Sequence, residues 1–240
     1  GLLDGVRVNG PAAPERFDVK RLRAGIEQRR APGGWGRPLA VYTQLPSTND
    51  RAKELALAGA PEGAAVLALS QTRGRGQRGR TWISAPGRGL YLSIVLRPTS
   101  PAQQGAVLAM VAALATAELL MDAGVPGIAV KAPNDVYARG RKIAGVLIEP
   151  RIARSRIEFA VAGIGLNLTQ EPADWRGTEV EDRATSCRME GVELSLEDAV
   201  ARLLAALERV YRAWRTGATA ALWARWAALG GAVPPKAPPL

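Results

Sequence analysis

The 240-residue chain contains no histidine. That absence removes the commonest general base, the commonest zinc ligand and the Ser–His and Cys–His nucleophile pairs. There is one cysteine, Cys187, which excludes an intrachain disulfide and any metal site built from several thiolates. Arg183 and Arg188 stand near it, yet a plain buried thiol is the simpler reading. Acidic side chains are in deficit, 22 Asp and Glu against 32 Lys and Arg, and the resulting net charge of +10 favours anionic partners. No charged start followed by an apolar run opens the chain as a secretory signal would. The most apolar stretch, Gly105 to Met121, is short for a membrane span and is flanked by Gln103, Gln104, Glu118 and Asp122, so it reads as a buried core helix. The expectation is a soluble, cytoplasmic protein with no membrane partner, whose chemistry rests on electrostatics and positioning rather than on covalent or zinc catalysis.

What is present is concentrated in one run. Gln71-Thr-Arg-Gly-Arg-Gly-Gln-Arg-Gly-Arg80, followed by Thr81 and Trp82, places four guanidinium groups and three glycines in ten residues. Glycines let backbone N–H groups approach a ligand, and arginine supplies a fork of donors matched to phosphate or carboxylate. Such a loop is suited to an anion, either a nucleotide-activated small molecule or a nucleic-acid backbone. Other basic clusters lie at Arg16 to Arg30 and Arg139 to Arg156; part of the excess accompanies abundant Ala and Gly and is compositional.

Periodicity and breakers predict a helix near Phe17 to Gln28, a strand at Pro38 to Leu45, and a helix over Asp50 to Ala58 capped by Ser47, Thr48 and Asn49. Strands follow at Ala64 to Ser70 and Leu90 to Leu96, then a long helix at Pro101 to Ala123 and a short strand at Ile128 to Lys131. Lys142 to Glu149 and Ile157 to Gly163 read as a hairpin. Residues 170 to 190 form a polar excursion, Ser195 opens a helix to Arg215, and a last helix covers Ala218 to Leu229. Without regular βαβ alternation, the pattern predicts an α+β domain, a mixed β-sheet with helices packed on it.

Four segments combine polar side chains with the Gly or Pro that fixes backbone geometry: Ser47-Thr48-Asn49, the Arg/Gly loop with Gln71, Lys131-Ala132-Pro133-Asn134-Asp135, and Gly163-Ile164-Gly165-Leu166-Asn167. Together with Arg141-Lys142-Ile143-Ala144-Gly145, in this order and approximate spacing, they resemble a biotin protein ligase from about Pro38 to Leu229. The resemblance implies a class II aminoacyl-tRNA synthetase-like fold and a two-step reaction. Biotin, ATP and Mg2+ give biotinyl-5′-AMP and pyrophosphate, and the acyl group then passes to one lysine of a biotin carboxyl carrier domain of an acyl-CoA or pyruvate carboxylase. Adenylation needs cations around a carboxylate and an α-phosphate but no protein nucleophile, which suits a histidine-free basic chain.

Carried over by motif, Ser47, Thr48 and Asn49 would line the biotin pocket, although standing alone they would be ordinary helix caps. Gln71, Gly74, Arg75, Gly76 and Gln77 would hold biotin towards its carboxylate, and Gly145, Gly163 and Gly165 would let backbone lie against its rings. Lys131 would be the central cation bridging carboxylate and α-phosphate, with Arg75 as the second catalytic group. Arg78, Arg80, Trp82, Asn134, Lys142 and Asn167 would face the nucleotide. No side-chain cluster is expected to hold a metal; Mg2+ would arrive with ATP. Ordering ten Gly-rich residues at roughly 1–2 kcal/mol each costs on the order of 10 kcal/mol, so Arg73 to Arg80 is expected to close only on bound ligand, shielding the acyl-adenylate from water.

Two positions depart from the family pattern. Gln77 stands where the family loop commonly has a second arginine, and losing a charged hydrogen bond worth about 1.5–3 kcal/mol predicts a leakier hold on the intermediate. Ala132 replaces a tryptophan that usually follows the lysine, so that the space there is either filled by a neighbour or left wide. Residues 1–36 read as an N-terminal extension too short for a helix-turn-helix, so no DNA partner is expected. Residues 37–229 read as the catalytic domain. Residues 230–240 read as the remnant or start of a C-terminal β-barrel, apparently truncated. The expected assembly is a monomer or homodimer. Three other readings stay open: a lipoate–protein ligase of the same fold, an Arg/Gly nucleic-acid binder whose basic loop offers only Trp82 for stacking, and a degraded ligase that binds biotin without transferring it.

Overall fold

Apolar residues recur along the chain at two periods, every second residue and every third or fourth, and the fold sorts them into strands and helices accordingly. The computed structural model describes residues 6–9 (backbone only), 17–29, 34–98 and 100–231. In chain order these form β1 (Val6–Asn9), α1 (Val19–Gln28), β2 (Leu39–Tyr42), α2 (Thr48–Leu57), β3 (Ala65–Ala68), β4 (Gly89–Leu96), α3 (Gly105–Asp122), β5 (Ile128–Lys131), β6 (Asp135–Ala138), β7 (Arg141–Ala153), β8 (Arg156–Asn167), α4 (Leu196–Arg215) and α5 (Thr219–Ala228).

The strands make one mixed sheet in the order β1-β2-β3-β4-β8-β7-β6-β5. β1, β2 and β3 are parallel neighbours; every other pairing is antiparallel. The α+β class is as expected, with one correction: helices α1 and α2 each join two parallel strands, so βαβ units do occur at the start of the chain. The four-residue β1 (Val-Arg-Val-Asn) is too short and polar to show a period, and β6 follows Pro133 so closely that it reads as a turn. β1 and α1 both lie within residues 1–36, and both join the folded body, β1 on β2 and α1 on α4. The proposed C-terminal barrel segment lies almost wholly outside the described residues.

Successive side chains of a strand point to opposite faces of its sheet, and here the two faces differ in kind. Leu90, Leu92, Ile94 and Leu96 of β4, with Ala160, Ala162, Ile164 and Leu166 of β8, enter the main core under α1, α3 and α4. The opposite face carries Val95, Phe159 and Val161 against the small side chains Ala52 and Ala56 of α2. Helix α2 covers only part of that face. Further along, the alternating positions are Ser93, Gly145, Leu147, Gly163 and Gly165, leaving a strip of sheet nearly bare of side chains.

Helix α3 is long and apolar enough to cross a membrane by length and composition, but 83% of that stretch is buried inside the fold. It lies between the sheet and α4, which explains why it is apolar on all sides. Its single buried acid, Glu118, accepts a hydrogen bond from Arg209 of α4 at 2.8 Å and pairs with Arg225 of α5, so the charge is matched where desolvation would otherwise be costly.

Candidate active site

The bare strip of sheet is the floor of a pocket. Gly145, Gly163 and Gly165 line it, together with Ser47, Thr48, Asn49, Gln71, Arg75, Gly76, Trp82, Asn134 and Lys142. The glycines are required by close approach rather than by turns. A Cβ on Gly163 would run into the Asn49 amide, and one on Gly165 into the Trp82 indole. The cavity is about 40 Å³, closed down by these side chains. It opens onto a larger cleft of about 510 Å³, lined among others by Gln77, Arg78, Arg80, Lys131, Tyr137, Asn167, Glu179 and Arg183. Gly76, Trp82, Asn134 and Lys142 belong to both.

A continuous hydrogen-bond chain runs along the wall of the inner pocket. Ser47 occupies the N-cap position of α2 but makes no side-chain cap bond. The capping expected of Ser47, Thr48 and Asn49 is instead supplied by Gln71, whose Oε1 accepts from Thr48 N at 2.8 Å and lies 3.1 Å from Thr48 Oγ1. This releases the Thr48 and Asn49 side chains to the pocket. Ser93 Oγ, fully buried on β4, sits 2.7 Å from Thr48 Oγ1 and 2.6 Å from Asn49 Oδ1. Asn49 Nδ2 donates to Glu149 Oε2 at 2.6 Å. Glu149 in turn accepts from Arg75 Nη2 at 2.9 Å, and Asp50 Oδ1 lies 2.7 Å from the same nitrogen. Partial burial lowers the Arg75 pKa, but the Asp50 hydrogen bond and the charge of Glu149 outweigh it, leaving the pKa raised and the guanidinium firmly charged.

The Arg/Gly loop is folded back on itself. Gly76 N donates to Arg80 O at 2.7 Å and Trp82 N to Gly74 O at 3.0 Å, with an antiparallel bridge between Arg75 and Thr81. Gly74 is buried behind the pocket, where a Cβ would meet Trp82 O at 2.5 Å. Arg78 turns through a left-handed conformation (φ 56°), uncommon for a side chain of its size. Gln77, expected at biotin, faces the outer cleft beside Arg78 and Arg80.

Lys131, expected as the central cation, and Lys142, expected at the nucleotide, both line the outer cleft. Lys131 is exposed and lines the outer cleft only. Lys142 reaches the junction of the two cavities: its Nζ is 2.7 Å from Asp135 Oδ1 and 5.7 Å over the Trp82 ring. Trp82, expected to face the adenine, lies across Gly145 and Gly165 with its indole N–H buried and unpartnered. Asn134 and Asn167 spend their amide N–H groups on Val146 O (2.8 Å) and Thr185 O (2.9 Å), so both brace the walls. Ala132 is exposed and lines the outer cleft.

Ser93, Asp50 and Glu149 escaped the sequence reading. A lone serine inside an otherwise apolar strand was the available signal for Ser93. Asp50 and Glu149 follow motif residues or end a strand and carry no local mark of their own. Among the described residues no cluster of three His, Cys, Asp or Glu side chains could hold a metal ion.

Residues 41–167, which carry every wall of the inner pocket, match the model of the Biotin/lipoate A/B protein ligase family. The chain is 34% identical over 204 residues to the bifunctional ligase/repressor BirA of Bacillus subtilis, covering 85% of this chain and 61% of that protein. It is 37% identical over 215 residues to the biotin–[acetyl-CoA-carboxylase] ligase of Mycobacterium tuberculosis, covering 82% and 75%. Among solved structures, the biotin protein ligase of Aquifex aeolicus in complex with biotin and ATP superposes with a TM-score of 0.66 at 28% identity, over 78% of this chain and 76% of that one. The chain thus spans about three-fifths of the length of its Bacillus relatives. A matching fold, a family model over the pocket and a relative covered across three-quarters of its length agree, and the chain belongs to the biotin/lipoate A/B protein ligase family.

Proposed function

We propose that this chain is the catalytic part of a biotin–protein ligase, with its acyl substrate on the glycine strip and its nucleotide in the outer cleft. One observation carries the reading: a glycine floor walled by amide and hydroxyl groups ends at Arg75 and Lys142, where it opens onto a cleft lined by Arg78, Arg80, Lys131 and Arg183. The Mycobacterium relative is a biotin–[acetyl-CoA-carboxylase] ligase, and the similar Aquifex structure holds biotin and ATP. The catalytic unit on this reading extends from β1 to α5.

The floor admits flat rings because it has no side chains of its own. Thr48, Asn49 and Gln71 offer both donors and acceptors to a cyclic urea, with Ser93 holding Thr48 and Asn49 from behind. A cavity of about 40 Å³ is far below the 300 Å³ or more typical of ligand pockets. Biotin therefore enters by lifting Trp82 and Lys142 off Gly145 and Gly165. Its carboxylate then meets Arg75 in place of Asp50 or Glu149, while Lys131 bridges carboxylate and α-phosphate from the outer cleft and Lys142 assists at the phosphates. A carboxylate oxygen bonds to the α-phosphorus as the bond to pyrophosphate breaks. In the second step a carrier lysine, as free amine, attacks the acyl carbon and AMP leaves. Arg75 and Lys131, with Lys142 beside them, neutralise charge at the reacting centre, and cations fixed in advance stabilise the transition state without reorganisation cost. Mg2+ would enter this cleft as a companion of the phosphates: Asp135, paired with Lys142, and Glu179 are among its lining, and no cluster of three His, Cys, Asp or Glu among the described residues could cage the ion.

Pyrophosphate release is the test, with ATP and Mg2+ and either biotin or lipoate. Release with biotin alone, followed by labelling of a single lysine on a carrier domain, is the expected result. Equal release with lipoate, or none with either, would overturn the reading.

A further inference from the structure

β5 is the last strand of the sheet, four residues long, and Lys131 closes it. Backbone groups of an edge strand point alternately towards the neighbouring strand and away from it, and those pointing away find no partner in the sheet. On the inner side Lys131 is well held. Asn134 N donates to Lys131 O at 3.2 Å, and Asn134 is itself tied to β7, with Nδ2 donating to Val146 O at 2.8 Å and its carbonyl accepting from Val146 N at 2.9 Å. On the outer side the N–H of Val130, the residue before, donates to Leu229 O at 2.9 Å. Leu229 belongs to no strand; it is the residue that caps the C-terminus of α5.

The turn that presents this carbonyl has a defined shape. Gly230 N donates to Ala227 O at 2.9 Å and Gly231 N to Trp226 O at 3.0 Å, the paired bonds of a Schellman motif, with Gly230 in the left-handed region (φ 82°). Gly231 is buried against the Trp226 indole, where a Cβ would not fit, and Trp226 and Leu222 seat the helix in the main core. The end of α5 is thereby fixed, and with it the carbonyl that meets β5. Gly230 itself is exposed, with nothing within 4 Å of a Cβ built there, so only its backbone conformation is demanding.

We propose that the turn Leu229-Gly230-Gly231 is a positioning element for Lys131, holding β5 from outside as Asn134 holds it from inside. The inference rests on the ligase reading for the work Lys131 does, whereas the hold on its strand is defined by geometry. No residue of the turn lines either cavity. Its effect passes through the peptide joining Val130 to Lys131, and a displacement of about an ångström is enough to spoil the placement of a reacting group.

Gly230 allows a graded test on the full chain. A β-branched residue is an outlier at positive φ, alanine is strained less, and asparagine tolerates the conformation. Pyrophosphate release is compared for wild type, Gly230→Val, Gly230→Ala and Gly230→Asn, alongside biotin affinity measured without ATP. Gly230→Val should lower kcat by about tenfold or more, the scale of a misplaced group, with Gly230→Ala in between and Gly230→Asn close to wild type. Biotin Kd should stay within about twofold throughout, a small step on the scale of a decade per 1.4 kcal/mol. A kcat that is unchanged in the folded valine and alanine variants, that falls only with a parallel rise in Kd, or that asparagine fails to keep would overturn the proposal. In a second measurement an amine reagent modifies the same proteins, and the rate at Lys131 is read by mass spectrometry against exposed Lys53 of α2. The Lys131 rate should shift several-fold in Gly230→Val and little in Gly230→Asn. An unchanged rate would sink the proposal even if wild type released no pyrophosphate, an outcome that by itself overturns only the ligase reading.

Discussion

Adding one methyl group at Gly165 drives a Cβ into the Trp82 indole. Trp82 is only half-buried and can swing towards the outer cleft, so the clash falls on the pocket rather than on the core. Overpacking of this kind costs about 1–3 kcal/mol. Gly165→Ala should therefore weaken biotin binding roughly tenfold by calorimetry and leave the thermal midpoint nearly where it was. A matching fall in stability would mean that the strip is structural. The glycines themselves were legible in the sequence, because two of them stand two residues apart on a strand, facing the same way. The reach of Lys142 into the inner pocket was not. Its neighbour in motif terms, Lys131, precedes a more conspicuous Pro-Asn-Asp. Only the sheet register shows that the arm of Lys142 lies along Gly145 while Lys131 sits at the exposed edge.

At the scale of elements, α4 holds the helical layer together, packing on α1, α3 and β4. Ser195 caps it by accepting from Asp198 N at 3.3 Å, with Glu197 and Asp198 in the first turn and Arg212 and Arg215 in the last, a charge order that suits the helix dipole. Ser195→Ala should cost about 1 kcal/mol, seen as a lower denaturant midpoint. Biotin affinity should not change, since no residue of α4 reaches the pocket. Loss of affinity alongside stability would show that the helical layer shapes the floor. This helix was plain in the sequence because its cap and its period agree. β6 was not, because four residues after a proline cannot establish a period. The capping of α2 misled for a physical reason: a Ser-Thr-Asn run normally serves its own helix, but Gln71, 23 residues away from Thr48, serves it instead.

Across the whole molecule, three buried acids stay neutral at ordinary pH. Burial pushes the Cys187 thiol up to about 12, and burial likewise raises Tyr91 and Tyr211, the latter with Glu62 adding to the effect. In the unfolded chain cysteine ionises near 8.5 and tyrosine near 10 (about these values in model peptides). Above pH of about 9 the unfolded state releases protons that the native state retains, so stability must fall as pH rises and is unaffected by these groups below that range. Urea midpoints should be level from neutrality to about pH 8 and then decline, with a shallower decline in Cys187→Ala. A flat profile would mean that these side chains reach solvent. The same burial makes the thiol inert, as expected from a solitary cysteine in an apolar setting.

The polar excursion of residues 168–182, whose return pairs Ala184 with Lys142, has a consequence for descent. The inner pocket is lined from α2 and its N-cap, the sheet, the Arg/Gly loop with Trp82, and Asn134 in the β5–β6 turn, whereas Trp175, Glu179 and Arg183 of the outer cleft hang on residues 168–182 or their return. Both ends of that excursion are anchored in the sheet, at Asn167 and at the bridge to Ala184. Lineages can therefore lengthen, shorten or exchange the excursion without disturbing the acyl site, since closing a longer loop costs only about 0.6 kcal/mol per doubling. The shape of the outer cleft can therefore vary while the glycine strip of the inner pocket stays as it is.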